Sequence, residues 1–238
     1  MNADFRTTRW SVVLEAGGTD SGQARAALET LCTQYWVPLY AFARRRGASE
    51  QEAEDLVQGF FARLIEKRTF EQADPERGRF RGFLSTAFQR HLANVHAHDV
   101  AQKRGGGARP ISLNRDDGES QYRLEPADPS DSPERVFERR WAMALLNSVM
   151  HRLRGEWREL DRERDFDMLS VFLGGHSPVP THAEVATELA LSSGAVKVAV
   201  HRLRKRYGAL VREAVAATVS DPKDVDAELR ELAAALRR

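Results

Sequence analysis

Apolar residues along this chain recur mostly at intervals of three and four, the spacing that lines one face of a helix. The longest unbroken run is Ala53, Leu56, Val57, Phe60, Phe61, Leu64 and Ile65. It predicts a helix from Glu50 to about Lys67, opened by a capping box of Ser49 and Glu52. Phe80, Leu84, Ala87, Phe88, Leu92 and Val95 predict another, running from the turn after Asp74-Pro75 to about Ala101. Upstream, Thr7–Leu14 reads as a short apolar lead-in ended by Gly17-Gly18. Gln23–Gln34 reads as a helix with Ala24, Ala27, Leu28 and Leu31 inward. Pro38 fits the first turn of a separate helix that ends at Arg46, with Gly47 as its C-cap.

Downstream, Trp141, Leu145, Leu146, Val149 and Leu153 predict a helix over Val136–Arg154, and Asp165–Leu173 a shorter one stopped by Gly174-Gly175. Thr181–Leu189 reads as a short helix and Ala190-Leu191-Ser192 as a tight turn. Ser192 is the expected N-cap of a last long helix whose stripe is Val196, Val200, Leu203 and Tyr207. Beyond Asp221-Pro222, the residues Asp224, Val225, Leu229, Leu232, Ala233 and Leu236 restart the pattern. They predict an accessory helix over Ser220–Arg238 that belongs to neither core but must pack on something, because about fifteen helical residues are marginal alone in water. Packing within this chain is favoured over packing on a partner, since Leu229, Leu232 and Leu236 would otherwise be exposed. Few alternating β-branched runs are present, and the expected class is all-α.

Charge divides the chain more sharply than its net value of +1 suggests. Glu50–Glu76 holds eight acids against three basic residues, which fits either a solvated acidic face or a protein-docking face and repels phosphate. From Arg77 to Arg109 there are seven Lys/Arg and a single acid, Asp99, interleaved with Phe80, Phe83 and Phe88. Cations beside aromatics suit single-stranded or melted DNA. Because most of these Phe belong to the apolar stripe, Arg79, Arg81, Gln89, Arg90, Asn94 and His98 are the candidates for contact. Asp116–Glu134 carries seven acids against Arg123 alone and is rich in Pro and Ser, the composition of a flexible linker.

The last long helix is basic on its outer side, with six Lys/Arg and no acid from Ala195 to Arg212. A short helix, a tight turn and a basic second helix form the helix-turn-helix layout, whose second helix enters the major groove. The plain alternative is a solvated charged face. The coincidence of the three features favours DNA, with Ser192, Ser193, Lys197, Val198, His201, Arg202, Arg204 and Lys205 as the contacting set.

Other chemistries find little support. Cys32 is the only cysteine, so no intramolecular disulfide and no thiolate zinc framework can form. His91, His96 and His98 are wrongly spaced for one helical metal face, and no cofactor is expected. No Ser/His/Asp, Cys/His or phosphate-loop arrangement supports an enzyme. No stretch reaches membrane-span length and the N-terminus lacks a signal-peptide pattern, so no membrane insertion and a cytoplasmic setting are expected.

Glu52–Leu64, followed by Arg77–Leu84, a linker, and Gly194–Lys197 with His201–Lys205, resembles the extracytoplasmic-function type of sigma factor of bacterial RNA polymerase. The resemblance implies two small helical domains joined by an acidic flexible linker. Residues 1–104 would be a sigma region 2 domain that docks on core RNA polymerase and recognises and melts the minus-ten element. Residues 105–133 would be the linker, 134–219 a sigma region 4 domain reading the minus-thirty-five element, and 220–238 the accessory helix. It places Glu54, Asp55, Gln58 and Phe61 on the polymerase clamp, resolving the acidic face in favour of docking, and Arg79 to His98 on the minus-ten DNA. Promoter DNA and core polymerase are the implied partners, with room for an anti-sigma protein. Ala195 and Ala199 stand where many members carry Thr and Arg. A stand-alone helix-turn-helix regulator is the alternative from another class.

Overall fold

The computed structural model describes residues 21–66, 79–102, 128, 130–174, 178–219 and 221–237, with side chains omitted at 21–28, 30 and 98–102. The expected lead-in at Thr7–Leu14, the turn at Asp74–Gly78 and most of the 105–133 linker lie outside them. Every α-helix among the described residues follows the apolar periodicity, and no strand occurs there. The fold is all-α.

Two compact units are formed, one by the described residues up to Ala144 together with those from Val215 onward, the other by Leu145–Ala214. In the first unit, helix α1 (Ser21–Arg45), α2 (Glu50–Glu66) and α3 (Phe80–Gln102) surround an aromatic core. Leu39, Phe42, Ala53, Val57, Leu84 and Phe88 are completely buried there. Phe88 sits at its centre, edge-on to Phe42 at 5.7 Å and to Phe60 at 5.0 Å between ring centroids. The start of α4 (Pro133–Arg158) belongs to this unit because Phe137 stacks on Tyr35 at 6.4 Å. The unit limits therefore differ from the expected domain limits of 133/134 and 219/220. The first turns of α4 and the tail helix α8 (Val225–Leu236) both pack with the first unit.

One local expectation is corrected. Gln23–Gln34 and the helix from Pro38 are not separate, since α1 runs through Pro38 without interruption. Its end is as expected. Gly47 has φ +96°, and the Ala48 and Gly47 N–H groups donate to the carbonyls of Ala43 (3.2 Å) and Arg44 (3.0 Å), so that the left-handed residue closes the helix. The capping box that opens α2 is also present: the Ser49 N–H donates to Glu52 Oε2 at 2.8 Å and the Glu52 N–H to Ser49 Oγ at 3.3 Å.

In the second unit, α5 (Glu163–Ser170) continues into a 3-10 turn (Val171–Leu173), followed by α6 (His182–Glu188) and α7 (Ser193–Ala216). Its interior is built from Leu153, Leu169, Val185, Val196, Val200 and Leu203, all buried. The later part of α4 and α7 are tied at the surface by the Arg206–Glu156 pair at 2.5 Å and the Arg152–Glu213 pair at 2.8 Å.

Candidate nucleic-acid interface

Helix α6 starts at a complete capping box. Thr181 Oγ1 accepts from the Glu184 N–H at 3.2 Å, and the Glu184 carboxylate accepts from the Thr181 N–H at 2.6 Å. The Thr181 N–H and the Thr181 hydroxyl, which donates to the same carboxylate at 2.9 Å, hold the Glu184 carboxyl below its usual range. The helix ends after two turns because Ala190 takes φ +52°, and the Leu191 N–H then reaches back to the Ala186 carbonyl at 2.9 Å. Left-handed backbone costs a residue with a Cβ about 1 kcal/mol, so the turn is held by its surroundings rather than by intrinsic preference. Ser192 follows, its Oγ accepting from the Ala195 N–H at 3.1 Å, and α7 begins.

Val196, Val200 and Leu203 face inward, which turns Ser192, Ser193, Lys197, Val198, His201, Arg202, Arg204 and Lys205 outward. All eight are exposed, Val198 half so. They do not form one equivalent set. Arg204 donates through Nη2 and Nε to the Phe172 carbonyl at 2.9 and 3.3 Å, closing the C-terminal end of the 3-10 turn. Its guanidinium therefore works within the fold. Lys197, Arg202 and Lys205 make no ion pair among the described residues. What remains is a cationic face with one aliphatic side chain in it, suited to phosphates, base edges and a thymine methyl.

The second candidate surface lies on α3. Arg90 and Asn94 are exposed, and the Gln89 amide donates to Glu134 at 3.1 Å. The side chain of His98 lies outside the described residues. Arg79 and Arg81, expected as open cations, are engaged by acids. Arg81 is only 5% exposed; its Nε donates to Glu138 at 2.6 Å and its Nη2 to Glu231 at 3.0 Å, while Nη1 pairs with Glu228. Its guanidinium also lies 4.3 Å over the Trp141 ring. Arg79 Nε is 2.5 Å from Glu228 Oε2, and its Nη1 pairs with Glu231. A side chain with five donors is buried only when its donors are met, and three carboxylates with an aromatic face do this for Arg81. Sequence reasoning missed Glu138, Glu228 and Glu231. Glu228 occupies the middle of the buried face of α8 between Val225 and Leu232, where the pattern suggested apolar residues alone.

The third surface is α2. Asp55 is exposed and Gln58 half-buried, whereas Glu54 and Phe61 are buried. Phe61 packs beside Phe60 at 5.7 Å and belongs to the core stripe, so it cannot also stand on the outer face. The exposed acids of this helix are Glu50, Glu52, Asp55 and Glu66.

Among the described residues no cluster of His, Cys, Asp and Glu could hold a metal, and no helix is long and apolar enough to cross a membrane. Burial and the nearby Glu29 push the Cys32 thiol up to about 12, which keeps it protonated and unreactive.

Residues 31–102 match the family model of sigma-70 region 2, a span that takes in most of α1, all of α2 and all of α3. No curated protein and no solved structure matches the chain. The match supports a factor of the sigma-70 family, whose members initiate transcription without being enzymes, and region 2 is the part involved in core-polymerase binding and promoter melting.

Proposed function

We propose, from the sigma-70 region 2 match over residues 31–102, that this chain is an extracytoplasmic-function type sigma factor directing core RNA polymerase to specific promoters. The match carries the reading. In this assignment the first unit docks on polymerase through the outer face of α2, with Asp55 and Gln58 as its accessible members. The α3 surface of Arg79, Arg81, Gln89, Arg90, Asn94 and His98 takes the minus-ten strand. Helix α7 reads the minus-thirty-five element as the second helix of a helix-turn-helix, supported by the unpaired and exposed Lys197, Arg202 and Lys205. The acidic segment 105–133 links the two functions.

Run-off transcription with purified core polymerase on a library of upstream regions tests the reading. Initiation at defined sites only when the chain is added is the expected result. Tight binding to one operator by the chain alone, with no effect on core polymerase, would favour a stand-alone regulator. On a responding promoter, Arg202→Ala and Lys205→Ala should lower transcription without lowering core binding. A lost base-edge contact is worth about 1–3 kcal/mol, and a lost phosphate contact flattens the salt dependence. Normal transcription by both variants across a salt series would remove α7 from the promoter.

The docking face makes a separate claim. Asp55→Lys with Gln58→Lys should weaken capture of core polymerase while the helical circular dichroism stays unchanged, since exposed helical substitutions usually cost under about 0.5 kcal/mol. Unaltered affinity in a titration would assign docking to another face.

A further inference from the structure

The C-terminal helix is held by the arginines that the proposed function gives to DNA. Helix α8 places Glu228 and Glu231 three residues apart on one face, and both reach Arg79 and Arg81 at the start of α3. Glu228 is completely buried between Val225 and Leu232, which are 5% and 4% exposed. A tail helix needing only an anchor would be fastened more simply by apolar residues, because burying a carboxylate is costly unless its partner is excellent. Here the fastening is anionic, and its partners lie in the basic, acid-poor stretch of the chain.

Carboxylate and phosphate oxygens use the same guanidinium donors in the same planar fork. Exchanging one for the other leaves the arginines paired, while the released Glu228 regains its hydration. Such an exchange costs far less than breaking the pair. The helix is also suited to release: it has twelve residues, is marginal without its packing, and is joined to α7 by a short segment containing Asp221-Pro222.

We infer that α8 is a tethered mimic of the DNA backbone, whose Glu228 and Glu231 occupy Arg79 and Arg81 in the free chain and are displaced by single-stranded DNA. This rests on the reading of Arg79 and Arg81 as contacts of the minus-ten strand. In the free protein the surface is closed, and non-specific single strands compete poorly for it. Within a polymerase complex a correctly placed strand displaces the helix.

The test measures fluorescence anisotropy of a labelled 20-nucleotide oligothymidine with four full-length chains: unaltered, Glu228→Gln/Glu231→Gln, Arg79→Gln, and all three substitutions together. Removing the two charges while keeping side-chain shape is expected to tighten binding about tenfold, and Arg79→Gln in that background to abolish the gain. If the charge-neutralised chain binds no more tightly than the unaltered one, while Arg79→Gln weakens both, the arginine site stands and the mimic is overturned. Binding that is undetectable, or indifferent to Arg79→Gln, overturns the DNA assignment of Arg79 and the mimic with it. Hydrogen exchange on the unaltered chain gives a readout independent of how the variants fold. Saturating oligothymidine should lower protection of amides 225–236, and unchanged protection with DNA bound would overturn the proposal.

Discussion

Phe88→Ala is expected to remove about 3–5 kcal/mol of stability, the cost of emptying a fully buried aromatic position. The ring is completely enclosed and meets Phe42 from α1 and Phe60 from α2, so it is where α1, α2 and α3 converge. Neither neighbour can swing in to fill the space, because Phe42 is itself fully buried and Phe60 is 3% exposed and packed on Phe61. Domains of this size are stable by about 5–15 kcal/mol, so the loss takes a large part of the total. Urea titration followed by circular dichroism should show an early transition for the variant, and core-polymerase capture should fall with it. Phe88→Leu keeps most of the apolar volume and should fall well short of that loss. A variant Phe88→Ala with the unaltered midpoint would mean that the core does not centre on this ring.

The elements were legible where local chemistry decides them. Gly47 ends α1 because a left-handed residue is needed there, and the box at Ser49/Glu52 lies within four residues; the equally local box at Thr181/Glu184 was missed. Ser192 opens α7 for the same local reason. Pro38 misled, because a proline inside a helix costs about 3 kcal/mol and usually marks a boundary. Burial of Leu31, Tyr35, Leu39, Tyr40 and Phe42 on both sides of it offsets that cost, and this packing is visible only in three dimensions.

The candidate sites were legible by charge segregation and less so by residue. On α7 the inward stripe fixes which side chains stand outside, so the exposed set follows from periodicity. That Arg204 would turn back to the Phe172 carbonyl does not, since the two residues are 32 apart and the bond depends on where the 3-10 turn ends. Arg81 and Glu228 are 147 residues apart, and nothing local in either segment marks the pairing. Glu228 interrupts the apolar face of α8 where the helix meets cations, a position the apolar pattern of the tail does not mark. Phe61 shows the opposite fault: the stripe put it inside while the family resemblance put it on the docking face, and the packing supports the stripe.

Acid should destabilise the first unit in a window set by one histidine. His91 is 8% exposed, with ring centroids 5.7 Å from Phe60 and 6.3 Å from Phe88. Burial, reinforced by the positive charge of Arg63 and opposed by a hydrogen bond to the Leu56 backbone, lowers its pKa from 6.5 to about 4. The folded chain thus keeps the ring neutral where the unfolded chain protonates it. Stability is fully present above pH 6.5 and is lost progressively as the pH falls to about 4, below which this group adds nothing more. The shift corresponds to roughly 2–3 kcal/mol once solvent near the ring is allowed for. Carboxylates that the fold favours titrate lower. Glu163, held down to about 2 chiefly by its hydrogen bond from Arg158, gives up its contribution only between its ordinary value of 4.5 and about 2. Denaturation midpoints measured from pH 7 to 3 should therefore fall first between 6.5 and 4. His91→Gln, which retains a donor for the Leu56 carbonyl but cannot ionise, should flatten that first fall and leave the later one. An unchanged slope between pH 6.5 and 4 in the variant would show that the acid sensitivity comes from another group.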